Sequence, residues 1–536
     1  MYHFLNFQQN YSNSNEISNF AALKSIFAQN LLQIFKIQPV SKMKNVQTAI
    51  NKQPFLFLLL IPCISMVMHW RIFTTDLMGI HLWRQSQTEI NIQNFYRHDF
   101  NIVNPRNNSV NGGSDNIKRF EFPIMQWGIA GVHKIFGESI TISRISMFFI
   151  GLWGVLGMFF MLKYLFKDNF IAVVGAWIFN FSPLFYYYTM NPLPDVFALC
   201  SSLWAMAFFF KFYETEKNRD ALLSAFFLSL ATLAKLPYVI FGAMVGAYIL
   251  IQLFKNGVKT IKPSLKLAAF YVVLLLPAFF WYKWVIPTWG ENGVLKGVLD
   301  NKIPLSKSIE ILKFHYEQTL HYLLLTKAGI PFFVLGIFFM LKNKILKTEK
   351  GLMMAATGLA VIAYFLFEIN MIDIVHDYYM MPFLAVLPII TTYGFKKIYP
   401  LHWTTQTLSL LLICTLPVLA FRAVDNYWSI EKSYINSDLI LYKDELRRLV
   451  PNDEKCIILN DVSNHIFSYQ IDKQGHIFHS DDLPMPWIED MIKRFHVRYM
   501  YSDSRKVDGN PEFKAFIEST IFERGTIKVF KFKPLK

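Results

Sequence analysis

The chain has 536 residues, of which 53% are hydrophobic, 17% aromatic and only 17% charged, and its net charge is +15. Length alone would allow roughly two to four soluble domains, but several apolar runs approach the ~20 residues needed to cross a bilayer as a helix, which excludes that class. In a soluble protein so basic a balance would suggest nucleic acid. Here the lysines sort by membrane side instead, and no nucleic-acid partner is expected.

Residues 1–53 read as a cytoplasmic N-terminal extension. Its stretch "FAALKSIFAQNLLQIFKI" has the pattern of an amphipathic helix, and Met43 opens "MKNVQTAINKQPFLFLLL" like a natural start. Apolar spans are expected at about 54–70, 142–162, 170–189, 194–213, 221–235, 237–254, 267–287, 326–341, 351–370, 379–395 and 404–424, with 122–136 either half-inserted or a further span. A bilayer offers no water to the backbone, so about eleven such segments imply an all-α polytopic helix bundle, spanning residues 54–425. Three of the four cysteines (Cys63, Cys200, Cys414 and Cys456) lie inside apolar segments, and none has metal-ligand spacing.

Orientation follows from basic residues in short loops. With the N-terminus in the cytoplasm, the inside loops carry Lys163 and Lys167; Lys211, Lys217 and Arg219; Lys255, Lys259, Lys262 and Lys266; Lys342, Lys344, Lys347 and Lys350; Lys396 and Lys397. The short outside connections "MNPLP" and "IDIVHDY" carry none, and "AKLPY" carries one. The outer face therefore receives the long 71–121 loop, Asp195, Lys235, the 288–325 loop, His376 and the C-terminal tail. Residues 430–536 of that tail alternate helix-like "KDELRRLVP", strand-like "KCIILND", helix-then-strand "WIEDMIKRFHVRYMYSDSR" and hairpin-like "IFERGTIKVFKF". They predict a small extramembrane α/β domain.

The chemistry-bearing groups lie on that outer face. The first loop holds Asp76 and then "HLWRQSQTEINIQNF", with His81, Trp83, Arg84, Gln85, Gln87 and Glu89. If 81–97 is a helix, Arg84, Gln87 or Thr88, and Asn91 share a face: one cation with neutral donors, suited to an anionic headgroup. The competing reading is an interfacial helix whose polar side faces water. Glu121 precedes Pro123 and is either a solvated interfacial acid or an acceptor base. Asp195 is either a first-turn acid complementing a helix dipole or part of a site. Lys235 in "LAKLPY" is either a snorkelling lysine or a cation for a lipid phosphate. His376, Tyr378 and Tyr379 in "HDYYMMP" match an aromatic belt, although a belt does not call for a histidine.

This layout resembles the GT-C glycosyltransferases, the superfamily of protein O-mannosyltransferases and lipid A aminoarabinose transferases. The resemblance is carried by "EFPIMQWGIAGVHKIFGESITISRISMFFIGLWG", "NPLPDVFALCSSLWA", "LSLATLAKLPYVIFG" and "HDYYMMPFLAVLPI". The His-x-Trp-Arg-Gln block is similar to a bacterial subgroup. The resemblance implies a multi-pass bacterial inner-membrane enzyme with a periplasmic tail. Such an enzyme transfers a sugar from a polyprenyl-phosphate donor to a lipid, glycan or protein acceptor among the membrane lipids. The reaction is direct displacement, with a carboxylate base and Arg/Lys stabilisation of the phosphate. It implies no cofactor and no metal, and no Asp-x-Asp pair stands on the outer loops. Where most members place an acid in the first outer loop, this chain has Gln85, Ser86 and Gln87. The base is then expected to be Glu121 or Asp76, with Asp195 contributing. His81, Trp83, Arg84, Gln85, Gln87, Glu89, Lys235, His376, Tyr378 and Tyr379 are expected to bind substrate. A flippase of lipid-linked glycan, or a glycan ligase or polymerase, is the alternative. A flippase calls for ionisable groups at mid-membrane depth, whereas these charges cluster at span ends.

Overall fold

The computed structural model describes residues 47–289, 303–433 and 435–535, so the expected amphipathic stretch at 20–37 lies outside the described residues. Helices dominate, and the chain from Phe55 onward forms one compact unit. Each of the eleven expected spans falls on a helix or on a helix broken part-way.

Among the described residues, five stretches are long and apolar enough to cross a membrane: Ile140–Phe166, Pro194–Thr215, Leu236–Trp289, Glu349–Phe367 and Trp403–Trp428. Two more qualify only as bent pairs, Leu305–Leu324 with Thr326–Lys342 (106°) and Asp377–Ala385 with Leu387–Ile398 (47°). Shorter apolar helices occupy Pro54–His69 and Asn169–Asn180. The segment 122–136 is a separate 13-residue helix, Ile124–Phe136. The breaks have local causes. Pro183 restarts a helix after Asn180, and Lys235 and Pro237 interrupt the chain between Asn218–Ala234 and Ala243–Asn256.

The Pro194–Thr215 helix packs on both Ile140–Phe166 and Asn218–Ala234. The first contact is close because Gly154 faces Cys200, where an added Cβ would come within 2.2 Å of the sulfur. Small residues at such crossings let backbones approach. Arg144, on the Ile140–Phe166 helix, is fully buried. It donates to the Thr75 and Asp76 carbonyls (2.9 and 3.1 Å), to the Met190 carbonyl (2.6 Å) and to Asn191 Oδ1 (2.8 Å). A single guanidinium thereby ties the start of the 71–121 loop to the turn before Asp195.

The tail folds as its sequence pattern predicts, around a five-stranded sheet ordered β2-β1-β3-β5-β4. The strands are β1 (Cys456–Leu459), β2 (Gly475–Phe478), β3 (Tyr499–Ser502), β4 (Ile517–Arg524) and β5 (Ile527–Phe532). β1 runs parallel to β2 and β3, while β5 pairs antiparallel with β3 and β4. β1 is apolar on both sides because both faces are covered. Ile457 and Leu459 pack against the Met485–Phe495 helix. Cys456 and Ile458 belong to a core that takes in Leu77, Leu82 and Ile90 of the 71–121 loop.

Tail and loop are joined further by backbone pairing. Ser109 bridges Gly475 in parallel, Val110 N donates to Gly475 O (2.9 Å) and Gly475 N donates to Asn108 O (3.0 Å). The free edge of β2 is thus capped by the loop, which removes an exposed strand edge. Asp76 adds an ionic tie. Its carboxylate accepts from Lys443 Nζ (2.5 Å), the Tyr469 hydroxyl (2.8 Å) and Leu77 N (2.7 Å). Replacing Asp76 with Ala leaves those donors unmatched in a largely buried place, at a cost of about 1–3 kcal/mol. Limited proteolysis of the D76A protein should cut within 430–536 faster than in wild type. Unchanged protection would show that the tie does not hold the tail.

Candidate functional site

The stretch "HLWRQSQTEINIQNF" lies on a helix, Leu82–Arg97, entered through His81 in a left-handed conformation (φ 56°). Gly79, at φ +91°, makes the approach possible, since a Cβ there would sit 1.8 Å from the Tyr427 carbonyl oxygen. The helix does not present its polar side to water. Leu82, Arg84, Gln85, Ser86, Thr88, Glu89, Ile90, Ile92, Asn94 and Phe95 are all buried. The expected Arg84, Gln87, Asn91 stripe is engaged within the protein. Gln87 Oε1 accepts from Arg84, and Asn91 donates to the Arg106 carbonyl (2.8 Å).

Glu121 is fixed from both sides along the chain. The Trp289 and Trp281 indoles donate to the Arg119 (2.7 Å) and Phe120 (3.2 Å) carbonyls. Phe122 N donates to the Leu233 carbonyl (3.1 Å), at the end of the helix that terminates in Lys235. That bond brings Glu121 and Lys235 together. Glu121 Oε1 receives Arg84 Nη2 at 2.7 Å and Lys235 Nζ at 3.0 Å, and Lys235 Nζ stands 3.5 Å from Asp195 Oδ1. Burial, the largest influence on Glu121, would raise its pKa. The charges of Arg84 and then Lys235 outweigh it and hold the carboxyl well below the usual carboxylate range.

An aromatic wall continues from this cluster. Lys235 Nζ lies 5.0 Å from the Tyr379 ring centre, Tyr379 is 4.7 Å from Tyr378, and Tyr378 is 5.1 Å from His81. His376 adjoins both tyrosines and Trp83 (5.9 Å). At the far end His81 Nε2 meets Asp377 Oδ1 at 3.0 Å, and the Tyr188 hydroxyl donates to the same oxygen.

The structure therefore gathers Arg84, Glu121, Lys235, Asp195, His81, Trp83, His376, Tyr378, Tyr379 and, through Arg84, Gln87. It does not bring Asp76, Gln85 or Glu89 to them. Asp76 is occupied at the tail interface. Gln85 is buried and donates to the Ile80 carbonyl (2.8 Å). Glu89 projects to the opposite side of its helix, where Ser143 Oγ donates to it (2.9 Å) and lies 3.0 Å from His133 Nε2.

Four residues of the neighbourhood went unassigned in the sequence reading: Asp377, Tyr188, Tyr238 and His465. Asp377 and Tyr238 stand inside the motifs "HDYYMMP" and "LAKLPY", and Tyr188 closes the tyrosine run before "TMNPLP". His465 had no signal. It comes from the tail, where burial and then the nearby Arg84 charge push its imidazole down to about 4. Asp195 Oδ2, the Tyr238 hydroxyl and His465 Nδ1 are buried with no hydrogen-bond partner among the described residues. Buried polar atoms are normally satisfied, so orphans beside a charged cluster suit a ligand's place. A separate polar groove of about 360 Å³, lined by His98, Asp99, Arg106, Lys455 and Gln474 among others, shares no residue with this cluster.

Residues 121–281, a stretch that starts on Glu121 and includes Asp195 and Lys235, match the family model described as dolichyl-phosphate-mannose-protein mannosyltransferase. Solved structures extend the likeness over most of the chain. ArnT from Cupriavidus metallidurans in the apo state is similar with a TM-score of 0.62 and 12% identity, over 90% of this chain and 98% of that one. The fold is that of the GT-C glycosyltransferases. The same ArnT bound to undecaprenyl phosphate gives 0.57 at 12% identity, over 90% and 98%. AglB, the archaeal oligosaccharyltransferase from Archaeoglobus fulgidus in complex with an inhibitory peptide and a dolichol-phosphate, gives 0.57 at 12%, over 85% of this chain and 70% of that one. No curated protein matches the sequence. The apolar helices and this fold make the chain a multi-pass membrane protein.

Glu89 yields a prediction on pH. Burial pushes its carboxyl up to about 8. With the folded pKa above the unfolded ~4.3, the native state keeps a proton that the unfolded chain has lost. Stability should then fall as pH rises from about 4.5 to about 8, by about 1.4 kcal/mol per pH unit from this group alone. Glu89→Gln should raise the unfolding temperature at pH 8 relative to wild type and leave it little changed at pH 4. Parallel wild-type and E89Q curves would contradict it.

Proposed function

We propose that the protein is a membrane glycosyltransferase that moves a sugar from a polyprenyl-phosphate donor to a lipid, glycan or protein acceptor on the non-cytoplasmic face of a bacterial inner membrane. The observation that carries this reading is the convergence of Arg84 and Lys235 on one carboxylate oxygen, from a loop helix and from a break between apolar helices. A lipid monophosphate presents the same chemistry as that carboxylate and takes its place between the two cations. Preorganised positive charge then stabilises the leaving phosphate in a site with little water. Support comes from the relatives: one is solved with undecaprenyl phosphate and another with a dolichol-phosphate.

Glu121 and Asp195 act first as counter-ions that hold Arg84 and Lys235 in place before the donor arrives. Of the carboxylates expected to serve as acceptor base, they are the two at the cations. The partly exposed Tyr379 ring, backed by the buried Tyr378, lies beside the sugar's place, and the orphaned Asp195 Oδ2 and Tyr238 hydroxyl stand ready to bind its hydroxyls.

Cells lacking the gene should lose one sugar from a surface glycoconjugate, read by mass spectrometry, and the wild-type gene should restore it. Arg84→Ala and Lys235→Ala should each lower transfer by about 10²–10³-fold and weaken binding of undecaprenyl phosphate by the purified protein. A Lys235→Ala protein that binds the lipid phosphate and restores the sugar as well as wild type would overturn the assignment.

A further inference from the structure

We propose that His81, oriented by Asp377, is the general base that takes the acceptor's proton; the assignment rests on the glycosyl-transfer reading above and names a further group in that site. The first ground is geometric. His81 Nε2 stands 3.0 Å from Asp377 Oδ1, and the Tyr188 hydroxyl donates to that same oxygen. A carboxylate on one ring nitrogen fixes the tautomer, so Nε2 carries the hydrogen and Nδ1 keeps its lone pair. An imidazole steered by a carboxylate is a recurrent base in enzyme sites.

The second ground is strain. His81 holds φ 56°, a conformation that residues other than glycine rarely adopt and that clusters at functional sites. It is at once the residue that starts the Arg84 helix, its carbonyl accepting from Arg84 N and Gln85 N. The base and the phosphate cation are therefore one helical turn apart on a single rigid element.

The third ground is the order of groups along the aromatic row. Lys235 lies over Tyr379, Tyr379 adjoins Tyr378, and Tyr378 adjoins His81. A sugar lying along this row has its phosphate toward Lys235 and Arg84 and its opposite face toward His81. Direct displacement needs that arrangement, with the nucleophile opposite the leaving group.

The last ground is the state of the alternative. Glu121 is gripped by two cations and held well below the usual carboxylate range, after burial has been outweighed by Arg84 and Lys235. Such a carboxylate is a weak proton acceptor. In the step, the acceptor O–H proton passes to His81 Nδ1 while the acceptor oxygen bonds to the anomeric carbon. The bond from that carbon to the phosphate oxygen breaks, and its electron pair leaves on the lipid phosphate. Asp377 balances the imidazolium, which then returns its proton to solvent.

The titratable groups facing His81 are Asp377, His376 and Tyr378 from the 376–385 segment and Tyr188 from the Pro183–Tyr188 helix. The test uses the full-length protein in membranes of cells lacking the gene, with their own lipid-linked sugars. Transfer is followed by mass spectrometry across pH, and binding of undecaprenyl phosphate to the purified variants is measured alongside. His81→Gln should lower transfer by about 10²–10⁴-fold with lipid-phosphate affinity unchanged. Asp377→Asn should lower transfer and move the acid limb of the pH profile to lower pH, because removing the carboxylate's charge disfavours imidazolium. H81Q that transfers at the wild-type rate, or that loses lipid-phosphate binding together with transfer, would overturn the proposal. If H81Q does not accumulate in the membrane, D377N decides it: an unmoved acid limb rejects the base. Arg84→Ala with wild-type binding and transfer would instead sink the underlying glycosyl-transfer reading.

Discussion

Two cations share one oxygen of Glu121, and much of the surrounding structure is arranged to keep them there. Taking a carboxylate, an ammonium and a guanidinium out of water costs several kcal/mol per ion, and their mutual attraction offsets this only when geometry and hydrogen bonding are both good. A packed apolar trio in the same place would serve stability at least as well. The chain nevertheless brings Arg84 of the loop helix to Glu121, Lys235 and Asp195 beside the ends of apolar helices. It then surrounds them with groups that hold their backbones still: the Trp281 and Trp289 indoles, the Phe122–Leu233 bond and the buried Arg144. That outlay of structure on a charged cluster fits a site built for an anion.

The extramembrane tail belongs to this construction. It shares a hydrophobic core with the Arg84 helix through Leu82 and Ile90, and Arg97 at the helix's other end pairs with Asp472 of the tail (2.6 Å). β2 accepts the loop as an added edge. His465 of the tail lies near enough to feel the Arg84 charge. A tail docked in this way fixes the register of the loop helix, and so the direction in which His81 and Arg84 point. The site is made of three layers of chain: bundle, loop and tail.

The bundle was legible in the sequence because apolar runs and the alternation of lysines are local signals. Each expected span lands on a helix, and the loop helix at 82–97 and the strands β1, β3, β4 and β5 fall where their patterns put them. β2 was not legible. It has only four residues, and its partner on one side is a loop segment nearly 370 residues earlier in the chain. The site was legible as a list of residue types on one face, but not as a set of contacts. Asp76, Glu89 and Glu121 are equivalent acids in the sequence. Docking of the tail claims the first, helix rotation turns the second toward Ser143, and only the third meets the cations. Asp377 sat in a quoted motif yet read as part of an aromatic belt, because its link to His81 joins two loops that only the fold brings together.

A structure of the full-length protein with undecaprenyl phosphate, determined in a lipid nanodisc by cryo-electron microscopy, tests the central claim most directly. The account predicts the phosphate within hydrogen-bond distance of both Arg84 and Lys235, with Glu121 moved off at least one of them and the lipid tail leaving toward the bilayer beside Tyr379. A phosphate bound elsewhere, with the Arg84, Glu121 and Lys235 contact intact, would contradict it.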